Sequence, residues 1–244
     1  MHESLRREVE SSKADRQTTQ ALRKFVLGIV DESLRDHYGE NYSDRCFQSS
    51  MAIGETLEFL GICSKLWNGH VCMARVSIMN EEPEFGWAGF WDQDVHVWAF
   101  NEFGELIDLT ISQLHQHSAS SSRVDLPIPA IWWDDVDHWP TTMIYIPAGN
   151  PVAEFSPEET QDTESFMEKV REKFKAKAED ELGPGYEGAV LSGPQTLVEL
   201  TEEEHPWVLL GSYAQDISMP PWVLNRIEEL RGEVETERSP TARD

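Results

Sequence analysis

The stretch DRCFQSSMAIGETLEFLGI, residues 44–62, decides the predicted fold together with a hairpin-like segment that follows it. Ser43 is a favourable N-cap residue, and Asp44 suits the positive end of a helix dipole in the first turn. Apolar residues then recur at helical spacing as far as Gly61, which is a typical residue just past a helix end. The pattern predicts a helix in which Cys46 lies near the third helical position.

The second deciding stretch is HVWAFNEFGELIDLT, residues 96–110. Runs rich in β-branched and aromatic residues lie on both sides of a turn at 101–104, which is typical of a β-hairpin. His96 shares one strand face with Trp98, because successive side chains point to opposite faces. A three-residue loop would place His96 directly across from Asp108, and any other loop displaces the pairing by one or two places.

Further elements are predicted on both sides of these stretches. Residues 1–40 have an amphipathic helical pattern, and 157–182 predict a helix that follows Ser156 with Pro157 at its first position. Strand-like runs fill the chain from about 62 to 110, with a turn signal at Asn68-Gly69. Four more segments are predicted: PIPAIWW, TTMIYIP and HPWVLLGSY as strands, and residues 220–232 as a last helix.

These elements give an α+β protein with four segments. We predict an N-terminal helical segment over 1–40, a catalytic core over 41–150, an α/β extension of the same domain over 151–232, and a disordered tail over 233–244. The length of 244 residues and the 39% hydrophobic content suit one domain with a sizeable core, or a core domain with a smaller appendage.

Composition limits the classes of partner and the cellular compartment that we expect for this protein. The net charge of −25 argues against nucleic acid and anionic membranes, because phosphate contacts need Lys and Arg. Solubility is the simplest reason for the charge, and attraction to a basic protein partner or mimicry of a polyanion stays open. No apolar run is long enough for a transmembrane helix, and the N-terminus lacks the apolar region of a secretory signal, so we expect a cytoplasmic protein.

Among the three cysteines, Cys46 is the best candidate nucleophile. A helix N-terminus favours a thiolate through its unpaired N–H groups and its dipole, and it offers a donor to a developing oxyanion. Cys63 and Cys72 lie in strand-like runs, where cysteine usually packs, although a disulfide between them stays open. A base and a group that orients the base must also be present, and His96 and Asp108 are the candidates.

The two deciding stretches together resemble the transglutaminase-like group of papain-like cysteine hydrolases. In that group a helix that opens with the nucleophile precedes a small sheet with a "HxW…D" segment, and the resemblance covers roughly residues 40–112. It implies a papain-like core, in which the helix packs on an antiparallel sheet and the C-terminal strands and helices are additional. It also implies that Cys46 is the nucleophile, His96 the general base and Asp108 the orienting carboxylate.

The resemblance also implies an oxyanion donor and a substrate cleft, for which the sequence offers fewer signals. The second oxyanion donor has no clear counterpart in the pattern, and Asn41 and Tyr42 are the candidates for it. Trp98 is a candidate wall of the substrate cleft, because it lies two residues from His96 on the same face. No cofactor is expected.

Two short runs also suit metal ligands, since alternating residues of a strand share a face. One is Asp92, Asp94 and His96, and the other is His115 and His117. Solvated loops carry such runs often, so no metal site is predicted. A second interpretation is that the two aspartates raise the pKa of His96 and favour a cationic substrate, and the simplest is that they belong to a solvated turn.

The predicted function is a cysteine hydrolase of the protease or amidase type, acting on a peptide or small-molecule acyl substrate. An amine in place of water as the acyl acceptor would make the protein an acyltransferase on the same fold. The rival hypothesis is a non-catalytic acidic interaction protein, of inhibitor or immunity type, in which Cys46, His96 and Asp108 have only structural roles.

Overall fold

The computed structural model describes residues 1–40, 42, 44–79, 82–90, 96–111, 129, 131–135, 142–149, 155–182, 192–211 and 225. Its helices are α1 (Glu3–Asp15), α2 (Gln20–Tyr38), α3 (Cys46–Phe59), α4 (Pro157–Ala178), α5 (Ser192–Glu202) and α6 (Pro206–Leu210). Its strands are β1 (Ser64–Met79), β2 (Glu82–Phe90), β3 (His96–Asn101), β4 (Glu105–Asp108), β5 (Trp132–Asp135) and β6 (Met143–Gly149).

The six strands form one curled antiparallel sheet, in which the long strand β1 is central. Its first part pairs with β3 and its second part pairs with β2. Gly69 pairs with both β3 and β6, and Val71 pairs with both β2 and β6, so β6 lies on the other edge of β1. Strands β4 and β5 extend the sheet beyond β3. The sheet and its helices confirm the predicted α+β class.

Each face of the sheet carries its own apolar cluster. On one face, Ala99, Ile107 and Trp133 pack with buried residues of α1, α2, α3 and α4. On the other face, Trp98 and Tyr145 belong to a second cluster that α5 and α6 complete with side chains such as Leu200 and Trp207. Because side chains alternate along a strand, His96 shares the face of Trp98.

A buried charged network ties the N-terminal helices to the β3–β4 hairpin. Arg23 of α2 donates to Glu105 at 2.6 Å and to the carbonyl oxygen of Trp133 at 2.8 Å. Glu105 also accepts bonds from Thr18, from Asn101 and from the Trp133 indole. With every charge satisfied inside the protein, this network fixes the position of the hairpin relative to α2.

Several predicted elements occur as expected, and their caps explain why. Helix α4 begins at Pro157 after a capping box formed by Ser156 and Glu159. The predicted helical region 1–40 is divided into two helices, because Arg16 takes a left-handed conformation and Thr19 caps the start of α2.

Three local predictions were wrong. The Asn68-Gly69 pair lies inside β1, since both residues pair with β3 and the bulge occurs only in the pairing with β6. The segment HPWVLLGSY contains helix α6, because His205 caps it and Pro206 occupies its first turn. Helix α3 begins at Cys46 itself, so that Cys46 is the first helical residue and not the third.

Two other predicted segments, the last helix at 220–232 and the tail at 233–244, lie outside the described residues except for position 225. Within the part of the chain that the structure describes, no helix has the length and apolar character needed to cross a membrane.

Candidate active site

Cys46 occupies the first position of α3, and its side chain is partly exposed. The residue before the helix, Arg45, makes no capping hydrogen bond through its side chain. The first intrahelical bond in this turn runs from the Ser49 N–H to the Arg45 carbonyl oxygen. The N–H group of Cys46 therefore has no partner within the helix, which is the arrangement that stabilises an anion at a helix start.

The start of α3 is held against the start of β3. The hydroxyl of Ser50, one turn after Cys46, donates to the carbonyl oxygen of Val97 at 2.9 Å. Val97 is the residue next to His96 in the strand. This bond holds the first turn of α3 beside β3. The Cys46 side chain lies close enough to the His96 imidazole to raise its pKa, although 50 residues separate the two in sequence.

His96 and Asp108 form a buried pair. The Nε2 atom of His96 lies 2.6 Å from Oδ2 of Asp108, and each side chain is 1% exposed. With its Nε2 proton donated to the carboxylate, the ring keeps a fixed orientation and tautomer.

The two residues are not directly opposite each other across the hairpin. Ala99 pairs with Ile107, so this register places Asp108 opposite Trp98, two places from His96 on the same face. The loop does have three residues, but it begins after Asn101, whose side chain accepts bonds from the Phe103 and Glu105 N–H groups. The prediction that His96 lies directly across from Asp108 was therefore wrong by two places, which leaves the face unchanged.

Asp108 accepts hydrogen bonds from four donors. His96 and the hydroxyl of Tyr145 both donate to Oδ2, the latter at 2.9 Å. The N–H and the hydroxyl of Thr110 donate to Oδ1, at 2.9 and 3.2 Å. A buried carboxylate with this many donors is held in one orientation.

The surroundings of His96 change its basicity. Burial lowers the pKa of His96, but the charge and the hydrogen bond of Asp108 outweigh this effect. Together with a smaller contribution from the Cys46 side chain, they raise the pKa of His96 to about 10. The charged imidazolium form of His96, in which Nδ1 has taken up a second proton, is therefore favoured at neutral pH, where an ordinary histidine is mostly neutral.

The second ring nitrogen of His96, Nδ1, is buried and makes no well-aligned hydrogen bond with any described residue. A buried polar atom without a partner is unfavourable and requires an explanation, and a catalytic role is one such explanation. Because Nε2 is occupied by Asp108, Nδ1 is the nitrogen that remains for the thiol proton of Cys46.

The other two cysteines have different surroundings. All three are free thiols, so the possible Cys63–Cys72 disulfide does not form in this structure. Cys72 is buried, and burial raises the pKa of its thiol to about 12, which makes it a poor nucleophile. Cys63 is exposed. Neither lies at the start of a helix.

The remaining predicted site residues lie as follows. Tyr42 is buried, and its hydroxyl donates to Asp31, away from an oxyanion role. Trp98 is 2% exposed and lies edge-on to Tyr145, so it packs beside His96. Asn41 lies outside the described residues.

An open cleft of about 790 Å³ adjoins the first turn of α3. It is lined by Arg45 and Phe47, the two neighbours of Cys46 in sequence, and by Tyr38 and several residues of α4. Phe47 and Phe155 meet edge to face at 5.0 Å on its wall. The cleft thus lies beside the start of the helix, next to Cys46 in sequence.

Two site residues were missed by the sequence reasoning. Thr110 had a signal, because an aspartate two residues before a threonine is typical of a side-chain-to-backbone turn. Tyr145 had none, since it comes from a strand 37 residues after Asp108. The runs proposed as metal ligands lie outside the described residues apart from His96, and no group of metal-ligating side chains occurs among those described.

Comparisons of the chain with protein-family models, with curated proteins and with solved structures gave no match.

Proposed function

We propose that this protein is a cysteine hydrolase of the protease or amidase type, with Cys46 as the nucleophile, His96 as the base and Asp108 as the orienting carboxylate. The observation that carries the proposal is the buried 2.6 Å bond from His96 to Asp108, beside a helix that begins at Cys46. Few structural roles would require a histidine with one nitrogen paired and the other left for a thiol.

In the reactive state the Cys46 proton is held on Nδ1 of His96, which agrees with the raised pKa of the imidazole, and in the first half of the reaction the Sγ thiolate attacks the carbonyl carbon of the substrate. The carbonyl oxygen becomes an oxyanion, and the Cys46 N–H donates to it. The bond from carbon to the leaving group then breaks, and the leaving group receives the proton from His96. A thioester on Cys46 remains.

In the second half, His96 takes a proton from the acyl acceptor, which attacks the thioester carbonyl. Collapse of this second oxyanion releases the acyl product, and the Cys46 sulfur regains its proton through His96. Water as acceptor gives a hydrolase, whereas an amine gives an acyltransferase on the same fold.

The order of the elements supports placing the fold in the papain-like, transglutaminase-like group. A helix that begins with the cysteine packs on an antiparallel strand that begins with the histidine, and the carboxylate follows on the next strand.

The direct test is to trap the acyl intermediate. The protein is incubated with p-nitrophenyl acetate, quenched in acid, and digested, and the peptides are analysed by mass spectrometry. We expect acetylation of Cys46 in the wild type, its loss in Cys46→Ser, and a much slower reaction in His96→Asn. Equal acetylation of Cys63 and Cys46, unaffected by His96→Asn, would contradict the proposal.

A further inference from the structure

The hydroxyl of Tyr145 contacts the same carboxylate oxygen as His96. Tyr145 lies on β6, and its Oη donates to Asp108 Oδ2 at 2.9 Å, while His96 Nε2 lies 2.6 Å from that oxygen. The two donors come from strands on opposite edges of β1. Nothing in the local sequence of either strand requires this shared contact.

The phenol of Tyr145 stays protonated throughout the pH range in which proteins function. Burial raises the pKa of Tyr145 well above its ordinary value, and the neighbouring Asp108 carboxylate raises it further. A neutral phenol beside a carboxylate acts only as a hydrogen-bond donor to it. The Tyr145 hydroxyl therefore withdraws part of the negative charge that Asp108 presents to His96.

Packing fixes the Tyr145 ring. It is 4% exposed, its strand pairs it with Val71 of β1, and its ring meets Trp98 edge to face at 5.1 Å. Trp98 in turn lies 6.1 Å from the His96 ring. Both the ring and the hydroxyl of Tyr145 are thus held by the same cluster that supports the imidazole.

We propose that Tyr145 is a positioning residue of the candidate active site: its hydroxyl holds Oδ2 of Asp108 toward His96 and limits how strongly the carboxylate retains the imidazolium proton. This role rests on the proposed function, because positioning matters only if His96 exchanges a proton with Cys46. A hydroxyl that served packing alone would leave the proton affinity of His96 unchanged.

The test uses Tyr145→Phe in the full chain, with the ring protons of His96 followed by NMR from pH 5 to pH 11. Comparison with His96→Asn assigns the signal. We expect the titration midpoint of His96 to rise by about 0.5–1 unit, because Asp108 keeps more negative charge without the phenol donor. The matched control is Ser33→Ala, which removes a buried hydroxyl bonded within α2, and it should leave the midpoint unchanged.

A second replacement covers the case in which Tyr145→Phe does not fold. Site-specific 3-fluorotyrosine at position 145 retains the hydroxyl and makes it a stronger donor, so the His96 midpoint should fall. Opposite shifts for the two replacements support the proposal. An unchanged midpoint in a folded variant would overturn it.

Alkylation of Cys46 by iodoacetamide in the same wild-type samples separates the two proposals. If Cys46 of the wild type is alkylated rapidly but the titration midpoint of His96 is the same in Tyr145→Phe, only the role of Tyr145 is contradicted. If Cys46 of the wild type is alkylated no faster than Cys63, the proposed function is contradicted, and the positioning role is contradicted with it.

Discussion

The carboxylate of Asp108 reaches His96 diagonally across the β3–β4 hairpin, over a bond of 2.6 Å between Oδ2 and Nε2. Diagonal neighbours in an antiparallel pair lie farther apart than opposite ones, but long side chains can bridge them. Four donors fix the carboxylate in the orientation that makes this contact. The residue directly opposite Asp108 in the hairpin is Trp98.

Asp108→Asn should reduce the reactivity of Cys46. The amide carries no charge to hold the imidazolium and does not fix the same tautomer, so we expect alkylation at pH 7 to slow by about 10-fold or more. The measurement is the iodoacetamide rate at Cys46, resolved by mass spectrometry. Asp36→Asn, which removes a carboxylate paired with Lys173 on the surface, is the matched control and should have no effect.

The His96–Asp108 pair should make stability depend on alkaline pH. Because the pKa of His96 is raised to about 10, its contribution to folding is complete below the unfolded value of about 6.5 and is lost as pH rises toward 10. We expect the difference in unfolding free energy between the wild type and His96→Asn to shrink over this range. Urea titrations at pH 6, 8 and 10 measure it, and a constant difference would be inconsistent with a raised pKa.

Gly69→Ala should destabilise the sheet next to the site. A Cβ at this position would lie 2.1 Å from the Ile146 carbonyl oxygen and 2.9 Å from the Trp98 indole. Because Gly69 pairs directly with His96, we expect a loss of about 1–3 kcal/mol, in the range of overpacked cores. Thermal unfolding measures this loss, with Asn68→Ala as the neighbouring control, and equal stability of the two variants would argue against the close approach.

Arg23→Met should weaken the attachment of α2 to the hairpin. It leaves Glu105 buried without its cation, and breaking a buried ion pair in this way costs about 3–5 kcal/mol. Replacing both residues, as Arg23→Met with Glu105→Gln, removes the unpaired charge and keeps an acceptor for Thr18 and Trp133, so it should recover part of the loss. Chemical unfolding of both variants checks the prediction, and a double variant less stable than Arg23→Met would contradict it.

Local chemistry is the part of this structure that the sequence predicts well. The capping box of Ser156 and Glu159 places the start of α4, and the alternation of His96, Val97 and Trp98 assigns their faces correctly. These features depend on neighbours a few residues apart, which a sequence pattern contains.

Features that depend on distant parts of the chain were less predictable. The Asn68-Gly69 pair has the residues of a turn, but pairing with β3 and β6 keeps it extended. Asp108 was assigned the wrong register because the side chain of Asn101 moves the loop by one residue. Tyr145 reaches the site only through tertiary packing of β6, for which no local signal exists.

The most direct test of the central claim is the pH dependence of iodoacetamide alkylation at each of the three cysteines, resolved by mass spectrometry. If His96 accepts the Cys46 proton, Cys46 should react at least about 10-fold faster than the exposed Cys63 at pH 6–7, and His96→Asn should abolish this advantage. Cys72 should stay unreactive because it is buried. A Cys46 that reacts no faster than Cys63 across this range, with or without His96, would contradict the assignment of a catalytic thiol.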